Sequence, residues 1–354
     1  MALASSHSMT IVWRDCFCVR SHSSNGLFMD VENNTAFWIT GYQEARLGPV
    51  PEPTFPASET PYVIVRSRYS GISRGTESLV YNNQVPENEY QRMRAPFQEG
   101  EFPFPVKYGY ASVGEVVDGP EALLGRNVFC LYPHQQRYAV PASAVLPLPA
   151  KVPAERAVLA ANMETAVNGV WDGQPAVGDR IAVIGLGVVG LLVAWLVNRI
   201  PGVELIGVDT NEGRRSVAQA LGVRFTTEPD IQNCDLVFHA SGHPSGLAKA
   251  LSLAGTDARV IELSWYGDTP VSVPLGHAFH PNRLTLKSSQ VGQLSPERRP
   301  RWHHRRRLEL ALSMLSEPAL DALISGESRF EQLPQVAGNI LMPGADALCH
   351  RIVY

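Results

Sequence analysis

The chain is 354 residues long, 45% hydrophobic and 18% charged, with a formal net charge of −4 at pH 7. That length exceeds the size at which one hydrophobic core usually stops growing, so two domains are expected, and the mild acidity weighs against a global electrostatic pull toward nucleic acid or a membrane surface. No segment reaches the ~20 consecutive apolar residues of a membrane-crossing helix, and five cysteines without a C-x-x-C pair suggest neither a disulfide framework nor a structural zinc knuckle, which makes the cytoplasm the default setting.

Residues 1–30 are rich in Ser, His and Asn and lack apolar periodicity. They read as a flexible tail outside the fold, with no role for Cys16 or Cys18. From Phe37 to Val145 the text is proline-punctuated and strand-like. "YVIVRSRYS" (62–70) alternates, "YASVGEVV" (110–117) is extended, "RNVFCLY" (126–132) is a short apolar run, and Asp118-Gly119-Pro120 marks a turn. This half predicts a compact antiparallel β domain with few helices.

Near Pro149 the pattern changes. "PAERAVLAANMETAVNGV" carries apolar residues at helical spacing, and from Arg180 strands and helices alternate. Strands are expected at 180–184, 203–209, 235–240, 257–263 and 283–289, with helices at 187–200, 212–221 and 245–254, the first stopped by Pro201 and the second by Gly222. Such alternation predicts an α/β, doubly wound parallel sheet of the Rossmann kind. A basic stretch follows Ser289, then an amphipathic helix with Leu308, Leu312 and Leu315 inward, then a strand-like "LCHRIVY".

"RIAVIGLGVVG" is a strand running into Gly185, Leu186, Gly187, Val188, Val189 and Gly190, with the three glycines in G-x-G-x-x-G spacing at the start of a helix. The glycines allow a tight turn, close approach of backbone N–H groups to a pyrophosphate, and close helix packing. The next strand ends in Asp209, near the offset of a ribose-binding acid. An acid there accepts from a ribose 2′-hydroxyl and repels a 2′-phosphate, so NAD is expected over NADP; Arg214 and Arg215 temper that preference.

The order of parts, with "ETAVNG", the Gly185–Gly190 fingerprint, "VFHASG" and "VIELSWYG", resembles the medium-chain dehydrogenase/reductase superfamily, over essentially all of 37–354. The resemblance implies a GroES-like β-rich catalytic domain (31–150), an NAD-binding Rossmann domain (151–290), and a return segment (291–354) completing the first. It further implies that Thr165, Ser241 and Ser264 border the nicotinamide and that Arg74 reaches the pyrophosphate. In the zinc-dependent branch the run at 109–111 reads Gly-His-Glu; here Tyr110 and Ala111 stand in those places, Ser73 stands for the first cysteine ligand and Ala161 for a later one, so no zinc is expected. "SGISRGTE" is most similar to the bacteriochlorophyllide a dehydrogenase-like subgroup. A homodimer through the edge strand near "RLTLKSSQV" is implied as well.

Without a metal, another group must polarise the reacting oxygen. The candidates are Tyr110, Ser73, Thr76 and Glu77, with Tyr108 beside them. Each has a bland alternative: Tyr110 as a packed aromatic, Ser73 and Thr76 satisfying turn backbone, Glu77 as a surface carboxylate, His134 as an ordinary loop histidine. On an extended strand Lys107 faces away from the tyrosines. Trp265 and Tyr266 suggest an aromatic-lined pocket for a ring-bearing substrate. "RRPRWHHRRR" (298–307) reads as a helix face or subunit contact ahead of capture of an anionic substrate, and without a nucleic-acid motif. The function expected is an NAD(H)-dependent alcohol dehydrogenase or reductase. Reduction of an enone C=C bond and a non-catalytic nucleotide-binding redox sensor are the alternatives.

Overall fold

The computed structural model describes residues 34–354; the expectations for residues 1–30 lie outside the described residues. Six parallel strands form one sheet in the spatial order Phe225–Thr226, Glu204–Val208, Arg180–Ile184, Cys234–His239, Ala254–Glu262, Thr285–Ser288. Numbered along the chain from Arg180–Ile184, this is the order 3-2-1-4-5-6 of the dinucleotide-binding Rossmann fold. Ile181, Ala182, Val183 and Ile184 are all buried, as a strand covered on both faces requires. Helices Val188–Val197 and Arg214–Ala220 lie within the stretches expected from periodicity, and Pro244–Leu253 is offset by one residue from the expected 245–254.

The β-rich part centres on strand Tyr62–Ile72, which pairs antiparallel with Ser112–Asp118, Arg137–Pro141 and Cys349–Val353. Val63 and Val65 are fully buried while Arg66 and Arg68 face out, the period-two alternation of a half-covered strand. The chain's last strand therefore returns to the sheet that its early strands build, and Ile324–Arg329 pairs with it in parallel. Among the described residues no helix is long and apolar enough to cross a membrane.

Two local expectations need correction. Ser73 and Thr76 do not sit in a turn: strand Tyr62–Ile72 runs up to Ser73, and Arg74–Tyr81 is a helix burying Glu77, Val80 and Tyr81. Gly75, Thr76 and Ser78 are weak helix formers, so local propensity hid an element that its packing stabilises. The extended run at 106–117 is also interrupted, with strand Val106–Lys107, an irregular stretch, then Ser112–Asp118. Gly109 lies in the interruption at φ +124, and a Cβ there would sit 2.8 Å from His134 Cδ2. A glycine is what lets the histidine come so close.

Candidate functional site

Gly185 turns at φ +90, and a Cβ on it would fall 2.4 Å from the backbone of Ser241; a Cβ on Gly190 would fall 1.9 Å from the Gly185 carbonyl oxygen. These two glycines are demanded by close packing of strand, turn and helix. Gly187 differs, because a Cβ there would meet nothing within 4 Å. The space in front of the helix start at Val188 is thus open to an approaching anion. Asp209 folds back on this loop: Oδ2 accepts from Leu186 N–H at 2.6 Å and Oδ1 from Asn211 N–H at 2.8 Å. Each carboxylate oxygen keeps a lone pair for a ribose hydroxyl. Loop and acid therefore fit a dinucleotide.

At the carboxyl ends of the next two strands lies a network in which sequence reasoning named Ser241, Ser264 and Tyr266 but missed His239 and Glu262. His239 and Glu262 are the last residues of neighbouring strands and stand in register. His239 is 0% exposed; its Nδ1 lies 2.7 Å from Glu262 Oε2 and its Nε2 2.6 Å from Ser241 Oγ. Ser264 N–H donates to Glu262 Oε1, Gly242 N–H donates to Ser264 Oγ, and Tyr266 O–H donates to Glu262 Oε2. Burial pushes the Glu262 carboxyl up, but its bonds from His239 and Ser264 outweigh burial and hold it below the usual range. Burial and the Glu262 charge push the Tyr266 phenol up. A signal existed in "VFHASG" and "VIELSWYG", where an ionisable residue stands two places before each strand-end serine.

Ser73, Thr76, Tyr110 and Asn162 meet on the β-rich side. Asn162 Nδ2 donates to Ser73 Oγ at 3.0 Å, and the Ser73 and Thr76 hydroxyls lie close enough to the Tyr110 phenol to pull its pKa down. Burial and the nearby Glu77 charge push the Tyr110 phenol up to about 12, against the pull of those two hydroxyls. Tyr108 packs edge-to-face on Tyr110 with ring centroids 6.0 Å apart.

The ordinary readings of Glu77 and His134 are corrected. Glu77 is 3% exposed and His134 1%. Glu77 Oε1 accepts from Ser73 N–H at 2.7 Å and Oε2 pairs with His134 Nε2 at 3.0 Å. His134 Nδ1 lies 2.7 Å from Ser70 Oγ, which lies 3.0 Å from the Tyr354 hydroxyl. With Nε2–H donating to Glu77, Nδ1 accepts from Ser70, and a buried chain of bonds runs from behind Ser73 to residue 354.

Other expected residues are occupied locally. Thr165 Oγ1 donates to the Ala161 carbonyl, and Arg74 donates to the carbonyls of Ile340 and Met342. Lys107, away from the tyrosines, bonds Glu99 and Gln135. The arginines of 298–307 lace a helix to its surroundings. Arg305 donates to the Ser143 and Val145 carbonyls, Arg306 lies over Trp302, Arg298 over Trp171, and Arg307, 1% exposed, pairs with Glu164 and Asn168.

A catalytic zinc needs about three N, S or O ligands. Ser73 Oγ is taken by Asn162, the Tyr110 phenol is neutral at pH 7 with its pKa near 12, and Ala161 offers no donor. Among the described residues no group of three or more His, Cys, Asp or Glu is arranged to hold a metal. This donor set does not fit zinc.

No family model matches the chain. Among curated proteins, the L-threonine 3-dehydrogenase of Bacillus subtilis is 30% identical over 161 residues, 42% of this chain and 46% of that protein; the chain spans about half the length of the curated relatives it matches. Two crystal structures are similar over nearly the whole length. One, described as a short chain alcohol dehydrogenase from E. coli complexed with cofactor NADH, has a TM-score of 0.71 at 18% identity, covering 91% of this chain and 99% of its own. Another, a putative zinc-binding dehydrogenase from Sinorhizobium meliloti bound to NADP, has a TM-score of 0.70 at 17% identity, covering 91% and 100%. At such identity the two structures speak for the fold alone.

Proposed function

We propose that this chain, which has the fold of the medium-chain dehydrogenase/reductase superfamily, is an NAD(H)-dependent oxidoreductase. It moves hydride between nicotinamide and the hydroxyl or carbonyl carbon of a ring-bearing small molecule, without catalytic zinc. The observation that carries this reading is that the hydroxyls of Ser73, Thr76 and Tyr110 come together on the β-rich side; by the resemblance, Ser73 and Tyr110 stand where the zinc branch has metal ligands. Gly185, Leu186, Gly187, Val188, Val189 and Gly190 would hold the pyrophosphate, with Arg74 beside it. Asp209 would hold the adenosine ribose, and Thr165, Ser241 and Ser264 the nicotinamide side. When bound, the nicotinamide supplies or accepts the hydride.

The chain's own residues handle the proton at oxygen. With its pKa near 12, the Tyr110 phenol keeps its proton at neutral pH and donates it to a substrate oxygen, which favours the reductive direction. Ser73 and Thr76 orient that hydroxyl and stabilise the phenolate left when the proton is passed on, against the opposing Glu77 charge; Tyr110 then regains a proton from solvent. Tyr108, Tyr110 and Trp265 pack in one apolar cluster, which supports a ring-bearing substrate. Arg298, Arg299, Arg305, Arg306 and Arg307 are held by carbonyls, rings and Glu164, and lend no support to an anionic one. We place a homodimer contact at Thr285–Ser288, the edge strand of the parallel sheet.

The test is fluorescence titration with NADH and NADPH, followed by NADH oxidation over a panel of cyclic ketones and enones. NADH should bind more tightly than NADPH and ketones should turn over, with less than one zinc per chain by metal analysis and a dimer mass by light scattering. Tyr110→Phe should lower turnover by about 10²-fold while leaving NADH binding unchanged. Binding without turnover of any ketone or enone would favour the sensor, and turnover of enones alone would favour C=C reduction.

A further inference from the structure

The edge of the nucleotide loop that faces Asp209 is finished by a residue from elsewhere in the chain. Asp209 Oδ1 accepts from Asn211 N–H, Asn211 Oδ1 accepts from Gly213 N–H at 2.9 Å, and Asn211 Nδ2 donates to Asp346 Oδ1 at 2.9 Å. The same Asp346 oxygen lies 2.5 Å from Arg214 Nη2, where the arginine side chain is 13% exposed and the aspartate 60%. Asp346 sits between helix Leu333–Leu341 and strand Cys349–Val353, so it reaches this loop from the β-rich side.

Arg74 stands close enough for Arg214 to depress its guanidinium and Asp346 to offset that, although burial has the largest effect. The neighbouring Arg215 is paired with Glu212. Both arginines that follow Asp209 are thus already matched with carboxylates. In dinucleotide-binding folds an arginine after the second strand is what accommodates a 2′-phosphate, and the acid at the strand end is what rejects it.

We propose that Asp346 is a specificity-determining residue for the dinucleotide: by holding Arg214 in an ion pair it withholds the cation that a 2′-phosphate would need, and so reinforces Asp209 in selecting NAD(H). The inference rests on the nucleotide-binding reading above and adds a residue to it. Asp209, Asp346, Arg214 and Arg74 together carry no net formal charge; removing the Asp346 charge leaves a net positive edge and a free guanidinium at a site for a dianionic group.

The experiment is fluorescence titration of NADH and NADPH into the wild type, Asp346→Asn, Arg214→Gln and the Asp346→Asn/Arg214→Gln double variant, each checked for native circular dichroism. In Asp346→Asn the ratio of the NADPH to the NADH dissociation constant should fall about tenfold, with NADH affinity held within about twofold. The double variant should return to the wild-type ratio, and Arg214→Gln alone should change it by less than about twofold, because the cation is already withheld. An unchanged ratio in Asp346→Asn, or a gain that survives in the double variant, would overturn the proposal. Failure of the folded wild type to bind either nucleotide would instead sink the nucleotide-binding reading, and this inference with it.

Discussion

Gly109 controls the buried pair behind the candidate hydroxyl cluster. It adopts φ +124, and its missing side chain is the space into which the His134 ring presses. Gly109→Ala should strain the backbone and push His134 off Glu77, costing roughly 2–3 kcal/mol. A shift of the urea midpoint at unchanged slope would register it, and a midpoint within error of wild type would show that the pair tolerates displacement. Ser73, Thr76 and Tyr110 were legible as candidates from residue type. The burial of Glu77 and His134 was not, because 57 residues separate partners that meet only when a helix and a loop pack together. Asn162 and Ser70 went unnoticed for the same reason.

At the scale of elements, the parallel sheet was the most readable part. A strand with both faces covered needs continuous apolar residues, and a glycine-rich turn into a helix has few substitutes, so both are recorded in local text. Helix Arg74–Tyr81 was not readable, since its stability comes from contacts and not from propensity. Helix His304–Met314 shows a further limit: its basic run looked like a surface, yet Arg307 points inward to Glu164. Burial pushes the Glu164 carboxyl up and Arg307 opposes that shift. Arg307→Ala should therefore leave a buried acid without its partner and destabilise the fold by about 3–5 kcal/mol. Arg307→Met together with Glu164→Gln should recover part of the loss, as read by thermal denaturation; equal losses in both would mean that the pair is not the cause.

For the whole molecule, buried phenols set the alkaline limit. Burial raises Tyr108, Tyr132, Tyr138 and Tyr354 as well as Tyr110. A phenol whose folded pKa lies above its unfolded value of ~10 contributes stability that is complete below pH ~10 and lost as pH rises through the folded value. Stability should thus fall between pH ~10 and about 12, and absorbance at 295 nm should show a group of tyrosines ionising only as the fold opens. Full ionisation near pH 10 with native circular dichroism would contradict the burial described above.

The sequence by itself determined the parallel sheet, the glycine loop and Asp209, because each is a local demand of backbone geometry or burial that only a few residue types satisfy. The tertiary structure alone decided that Glu77 meets His134, that His239 stands beside Glu262, that Arg307 lies inside, and that Asp346 reaches Arg214. Those pairings join residues distant in the chain, and the energy of a charge depends on what surrounds it after folding, which no stretch of text carries.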